Sequence, residues 1–219
     1  MRQCDQSGLI REKKNMKNES GRLYWWAGAL FIVAILPARA WGEGYSIDQS
    51  EAGWEGFALG FASGIVAHEA GHIVVATSKG YSVRYDGLSI VYPGARLTRS
   101  GQLQVASAGF QTQWALSEFV LRDRNGDEHI KPPSDFGAGV VCSYLGVSFA
   151  YLTFLKNQYS GDVYGMSQAS GYSRDRISMM LAVPAVLDTW RLFGNDVPKW
   201  VPALSVLSKG LGAAWIWSY

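Results

Sequence analysis

The sequence predicts an α-helical integral membrane protein. We expect a bundle of about four to five transmembrane helices behind an N-terminal signal peptide or first helix, with a small β-hairpin or sheet inserted. Composition is the first observation behind this. Of 219 residues, 17% are charged and 48% hydrophobic, with 25 Gly and nine Trp. Soluble domains carry about 25% charged residues, and Gly and interfacial Trp are both enriched in membrane proteins. The second is a set of apolar stretches near the roughly 20 residues that a helix needs to cross a bilayer. The third is that polar, turn-rich segments separate them.

Other classes are poorly served. The net charge of +2 is too small to indicate nucleic acid, and no basic cluster interleaved with aromatics occurs. The two cysteines, Cys4 and Cys142, form no CxxC motif. One lies in a polar tail and the other in an apolar run, so no disulfide is expected.

Along the chain, Arg11, Lys13, Lys14, Lys17 and Arg22 precede "LYWWAGALFIVAILP", and "ARA" follows before Trp41. A basic region, an apolar core and an A-x-A site make a secretory signal cut after Ala40, or an uncleaved first helix. Met16 is an alternative start. Residues 1–40 are thus one region and 41–219 the membrane domain. Residues 41–55 are acidic. Residues 56–78 form the first span. "YSVRYDGLSIVY" alternates with period two and predicts a short hairpin. Further spans are expected over 105–121, 136–155, 177–193 and, more weakly, 201–219. The segments "RDRNGDEHIKPPSD" and 156–176 read as loops.

Loop charge gives the orientation. Lys79, Arg84, Arg96 and Arg99 face a single acid, Asp86, across 79–104, whereas 41–55 has four acids and no Lys or Arg. Counting positive charge inside puts the Arg-bearing loop in the cytoplasm and 41–55 outside a bacterial-type inner (plasma) membrane. The signal sequence implies the same.

The first span contains His68-Glu69-Ala70-Gly71-His72. Histidines at i and i+4 project from one helix face, so both imidazoles reach one ion. Ionisable groups in hydrocarbon are expensive and usually face a cavity, a partner or a metal. Imidazole suits zinc, and a glutamate after the first histidine can act as general base on a metal-activated water. Gly56, Gly60, Gly64, His68 and His72 also recur every four residues. Small residues at that spacing admit a closely packed neighbouring helix.

A catalytic zinc keeps three protein ligands. Ser78 occupies the place of a metzincin third histidine, and His129 lies in a loop on the opposite side. Two acids remain, Glu118 and Asp188. His68 lies about 15 Å, and Asp188 about 17 Å, from the expected cytoplasmic helix ends at 1.5 Å per residue. Depth favours Asp188, and Pro184 could open the backbone around it. Arg191 is a competing ion-pair partner for Asp188 at i+3.

These residues resemble the site-two protease family of intramembrane zinc metalloproteases. His68-Glu69-Ala70-Gly71-His72 matches its HExxH. "PAVLDT", with Asp188 in the ligand place, is similar to its Pro-containing LDG motif, with Thr189 where glycine is usual. "SAGFQTQ" resembles its AGP-x-x-N helix, with Phe110 for proline and Gln113 for asparagine. The resemblance covers roughly 56–193 and leaves no room for a PDZ-like insertion. It implies a Zn²⁺-dependent endopeptidase with Glu69 catalytic and His68, His72 and Asp188 as ligands. The implied partners are membrane-protein or peptide substrates and the lipid bilayer, with the hairpin presenting an extended substrate. The competing expectation is a catalytically inactive membrane zinc-binding relative that serves binding or assembly.

Overall fold

Serine and threonine start most of the helices. A side-chain oxygen at the residue before a helix can accept from one of its unpaired first N–H groups. Ser50, Thr98, Ser134 and Ser173 each do so, accepting from the backbone N–H three residues on. These caps move the helix starts one to six residues ahead of the apolar runs. The computed structural model describes residues 44–86, 89–122 and 133–219. The expected signal segment over 1–40 and His129 lie outside the described residues.

The elements are α1 (Glu51–Ser78), β1 (Arg84–Asp86), β2 (Ser89–Val91), α2 (Arg99–Leu121), α3 (Asp135–Thr153), α4 (Asp162–Ser170), α5 (Arg174–Phe193) and α6 (Trp200–Trp217). A 3₁₀ turn, Leu155–Asn157, precedes α4. The expected hairpin is present: β1 and β2 pair antiparallel, with Tyr85 opposite Ile90. The segment 156–176, expected as a loop, instead folds into the 3₁₀ turn and α4. Val163, Met166 and Ala169 form the buried face of α4, and this spacing of three is the reason it folds.

Helix directions follow from side-chain pairings. Gly60 meets Phe136 and Gly64 meets Ser143, so α1 and α3 run together. His72 meets Val105 while His68 meets Gln113, so α2 runs against α1. Ser117 meets Asp188 near the far end of α2, so α5 runs with α2. Gly212 meets Trp114 and Lys209 meets Ser117, so α6 runs against α2. One end of the bundle therefore carries the hairpin, α4 and the basic residues Lys79, Arg84, Arg99 and Arg174. The other gathers Asp48, Glu51, Glu55 and Asp135.

α1 is built inside out. Its buried residues are Gly53, Gly60, Gly64, His68, Gly71, His72 and Ala76. Its large apolar residues point outward, with Leu59 63%, Val66 67% and Val74 64% exposed. Small residues bring helix backbones together, and the expected glycine stripe does this. A Cβ at Gly60 would stand 2.0 Å from the Phe136 carbonyl oxygen, and one at Gly139 2.1 Å from that of Phe57. α1 and α3 are long and apolar enough to cross a membrane.

Candidate metal centre

The centre is made by three elements. α1 presents His68 and His72 one turn apart, with ring centroids 4.9 Å apart. The N-terminus of α4 presents Asp162. Ligand atoms of the three residues lie within 4.8 Å of one another. His68 Nε2 is 2.9 Å from Asp162 Oδ2, and His72 Nε2 is 3.3 Å from Asp162 Oδ1.

The outer nitrogens are already committed. His72 Nδ1 lies 2.7 Å from the Val105 carbonyl oxygen, which can only accept, so Nδ1 carries the proton there. His68 Nδ1 lies 2.9 Å from Gln113 Oε1. Gln113 Nε2 points towards the Gly64 carbonyl, which fixes its amide with the oxygen facing His68. With Nδ1 donating, each neutral imidazole turns a lone pair at Nε2 towards a carboxylate. Acceptors that converge in this way need a cation or shared protons between them. His72 Nε2 is buried and, among the described residues, makes no well-aligned hydrogen bond, although Asp162 Oδ1 stands 3.3 Å away, as expected of a nitrogen reserved for a ligand bond. Two imidazoles and one carboxylate, each imidazole held by an outer acceptor, form a donor set that fits zinc.

Glycines shape the centre. Gly109 leaves the space that the His68 ring occupies, and a Cβ there would stand 2.4 Å from Nε2. Gly161, at φ +88°, takes a left-handed conformation that other residues rarely adopt. It lets the chain pass against Tyr151, whose hydroxyl accepts from the Asp162 N–H at 3.0 Å. Gly165 lets α4 sit against Ala106 of α2, and Gln102 donates to the Gly165 carbonyl at 3.2 Å. Phe110 packs edge-on against His68 and Tyr151, forming an apolar wall.

Burial alone would raise the Asp162 carboxyl, but the facing His72 and His68 outweigh it and hold the group well below the usual carboxylate range. Tyr92, immediately after β2, has its phenol pushed up to about 12 by burial, then by the charges of Asp162 and Glu69. That places the end of the hairpin within electrostatic reach of the centre. Glu69 is exposed.

Asp188, the carboxylate expected to complete the site, does not join it. Its Oδ1 accepts from Arg191 at 2.9 Å and Ser205 at 2.6 Å. Its Oδ2 accepts from Ser117 at 3.0 Å and Lys209 at 2.5 Å. Four donors, two of them cationic, fill both oxygens and repel a further cation. Glu118 belongs to the same cluster, accepting from Arg191 at 2.6 Å and Lys209 at 2.5 Å. Two carboxylates and two cations cancel. Pro184 does not open the backbone either, since α5 continues through it to Phe193.

Asp162 is the residue that sequence reasoning missed. The available signal was "SGDVYGM": a glycine turn, an acid at the first helical position, and Val163 and Met166 three apart behind it. No protein-family model, no curated protein and no solved structure matches this chain.

Proposed function

We propose that this chain is a zinc-dependent intramembrane endopeptidase that hydrolyses peptide bonds of membrane-protein substrates. On this reading His68, His72 and Asp162 hold the metal and Glu69 is the catalytic base. The observation that carries it is the convergence of two outward-anchored imidazoles and one carboxylate, next to an exposed glutamate that a structural metal site would not require. This ligand set shares HExxH with the site-two protease family and takes its carboxylate from a different place, the short helix α4.

When bound, zinc polarises a scissile carbonyl and lowers the pKa of water to about 7. The protein's own groups supply the rest. Val105 and Gln113 fix the imidazole orientations, and Phe110 and Tyr151 keep one side dry. Glu69 accepts a proton from the attacking water and returns it to the leaving amine. The hairpin offers strand edges beside the centre, and an extended substrate can pair there.

Three features support a membrane setting: the inverted α1, the apolar outer surfaces of α1 and α3, and the contrast between a basic and an acidic end. With positive charge inside, the hairpin end lies in the cytoplasm and Glu51 lies outside the plasma membrane.

The test is zinc content and proteolysis of the full chain purified in detergent, beside Glu69→Gln. We expect about one zinc per chain in both, with cleavage of an unstructured transmembrane peptide lost in the variant. Zinc without cleavage in the wild type would favour the inactive zinc-binding relative. A folded wild type without zinc would overturn both.

A further inference from the structure

An apolar cleft of about 280 Å³ lies between α5 and α6, lined by Trp114, Met166, Ile177, Leu181, Leu211 and Trp215 among others. It is separate from the metal centre, although Met166 belongs to the helix that carries Asp162. Gly212 also lines it: a Cβ there would stand 2.9 Å from Trp114 Cη2, so the indole keeps its place because position 212 has no side chain. Its rim faces outward, with Met180, Val183 and Leu211 exposed on the bundle surface. From Ile177 to Val183 the lining advances about 9 Å along α5 at 1.5 Å per residue. The cleft thus runs along the bundle axis, the direction of an acyl chain in a bilayer. Its volume falls just short of the range of roughly 300–1,000 Å³ for drug-sized ligands, and suits a single narrow chain.

At the basic end the cleft finishes in an aromatic and cationic cap. Trp215 stacks on Tyr172, with centroids 5.5 Å apart and planes 3° from parallel. The Arg176 guanidinium lies 5.3 Å from the Tyr172 ring centroid. Neighbouring cations are engaged elsewhere. Lys156 pairs with Asp175 at 2.6 Å, and Arg174 donates to the Lys156 and Gln158 carbonyls. Arg176 is exposed, and among the described residues no carboxylate pairs with it. Aromatic rings and arginines at this level match the interfacial zone of a bilayer.

We infer that the cleft binds one acyl chain of an anionic phospholipid whose phosphate is held by Arg176. The two chemistries are joined as they are in such a lipid, an apolar channel ending at an exposed guanidinium. This inference rests on the reading of the bundle as membrane-embedded and is independent of the zinc.

The experiment is native mass spectrometry of the full chain, released from detergent micelles containing equal phosphatidylglycerol and phosphatidylcholine. Wild type is expected to retain one phosphatidylglycerol in preference to phosphatidylcholine. Arg176→Gln, at an exposed position that does not threaten folding, should reduce that preference about fivefold, the factor one basic group near a charged surface supplies. Ser208→Phe, which fills the cleft from its lining, should abolish retention of either lipid. Zinc content should be unchanged in both variants. Equal retention of the two lipids by wild type, or retention unaffected by Ser208→Phe, would overturn the inference. A chain that remains soluble and folded without detergent would overturn the membrane reading together with it.

Discussion

Gly109 faces the His68 imidazole so closely that a Cβ at position 109 would stand 2.4 Å from Nε2 and 2.5 Å from Cδ2. His68 also meets Gln113, one turn further along the same helix, at 2.9 Å. α2 therefore both makes room for the ring and orients it. The helix "SAGFQTQ" shapes the candidate metal centre through a missing side chain and an amide oxygen.

Gly109→Ala should accordingly weaken zinc binding more than it weakens the fold. The ring must move to admit the methyl group, and overpacking of this kind costs about 1–3 kcal/mol. Gln113→Leu removes the outer acceptor instead, and loss of such a partner lowers metal affinity about 10–100-fold. Competition with a fluorescent zinc chelator would read both. Wild-type affinity in Gly109→Ala would mean that His68 is not a ligand in the orientation described here.

Asp162 and Asp188 should separate in function. Asp162→Ala removes a ligand and is expected to lose zinc while the helices remain packed. Asp188→Ala leaves Arg191 and Lys209 facing each other in a buried site with only Glu118 to balance them. Breaking a buried ion pair costs about 3–5 kcal/mol, so this variant should unfold at much lower temperature. Zinc content per folded chain, measured beside a thermal melt in detergent, distinguishes the two. Zinc lost from a folded Asp188→Ala, and kept in Asp162→Ala, would restore the assignment based on depth.

That outcome bears on what the sequence could convey. Most of the helices and the hairpin were legible because each is a local pattern: apolar runs, then period-two alternation. The pairing of His68 and His72 was legible because both imidazoles share one turn of helix. Asp162 was not, because its approach depends on α4 folding back against α2 through Gly165 and Ala106, a contact between distant segments. The depth argument for Asp188 misplaced it: Asp188 meets Ser117, further along α2 than Gln113 and Val105, which meet His68 and His72. It could not register that Lys209, on another helix, already lay within 2.5 Å of that carboxylate.

Tyr92 supplies a pH-dependent test of the site's charge. An ordinary phenol titrates near 10, whereas Tyr92 is pushed up to about 12 by burial, then by Asp162 and Glu69. A raised folded-state value favours the neutral phenol. Its stabilising contribution is complete below about pH 10 and is lost as pH rises through about 12. In metal-free protein, Asp162→Asn and Glu69→Gln should each bring the phenol down. Absorbance at alkaline pH, differenced against the same chain carrying Tyr92→Phe, isolates this one tyrosine. An unmoved titration would place the end of β2 away from the centre.

The hairpin itself should matter to cleavage and not to metal. β2 leads directly into Tyr92, whose phenol feels the charges of Asp162 and Glu69, so the hairpin lies at the same end of the bundle as the centre. A substrate helix cannot be cut while its peptide bonds remain within the helical ladder, and pairing with a strand edge holds the segment extended. Proline at position 91, as Val91→Pro, removes a backbone donor and disturbs that edge. Cleavage of a transmembrane peptide should fall at least tenfold, with zinc content and thermal melting unchanged. A short, already extended peptide should lose less, because it has less need of an ordering edge. Equal cleavage of both substrates by wild type and Val91→Pro would remove the hairpin from substrate presentation and leave α4 and α2 to perform it.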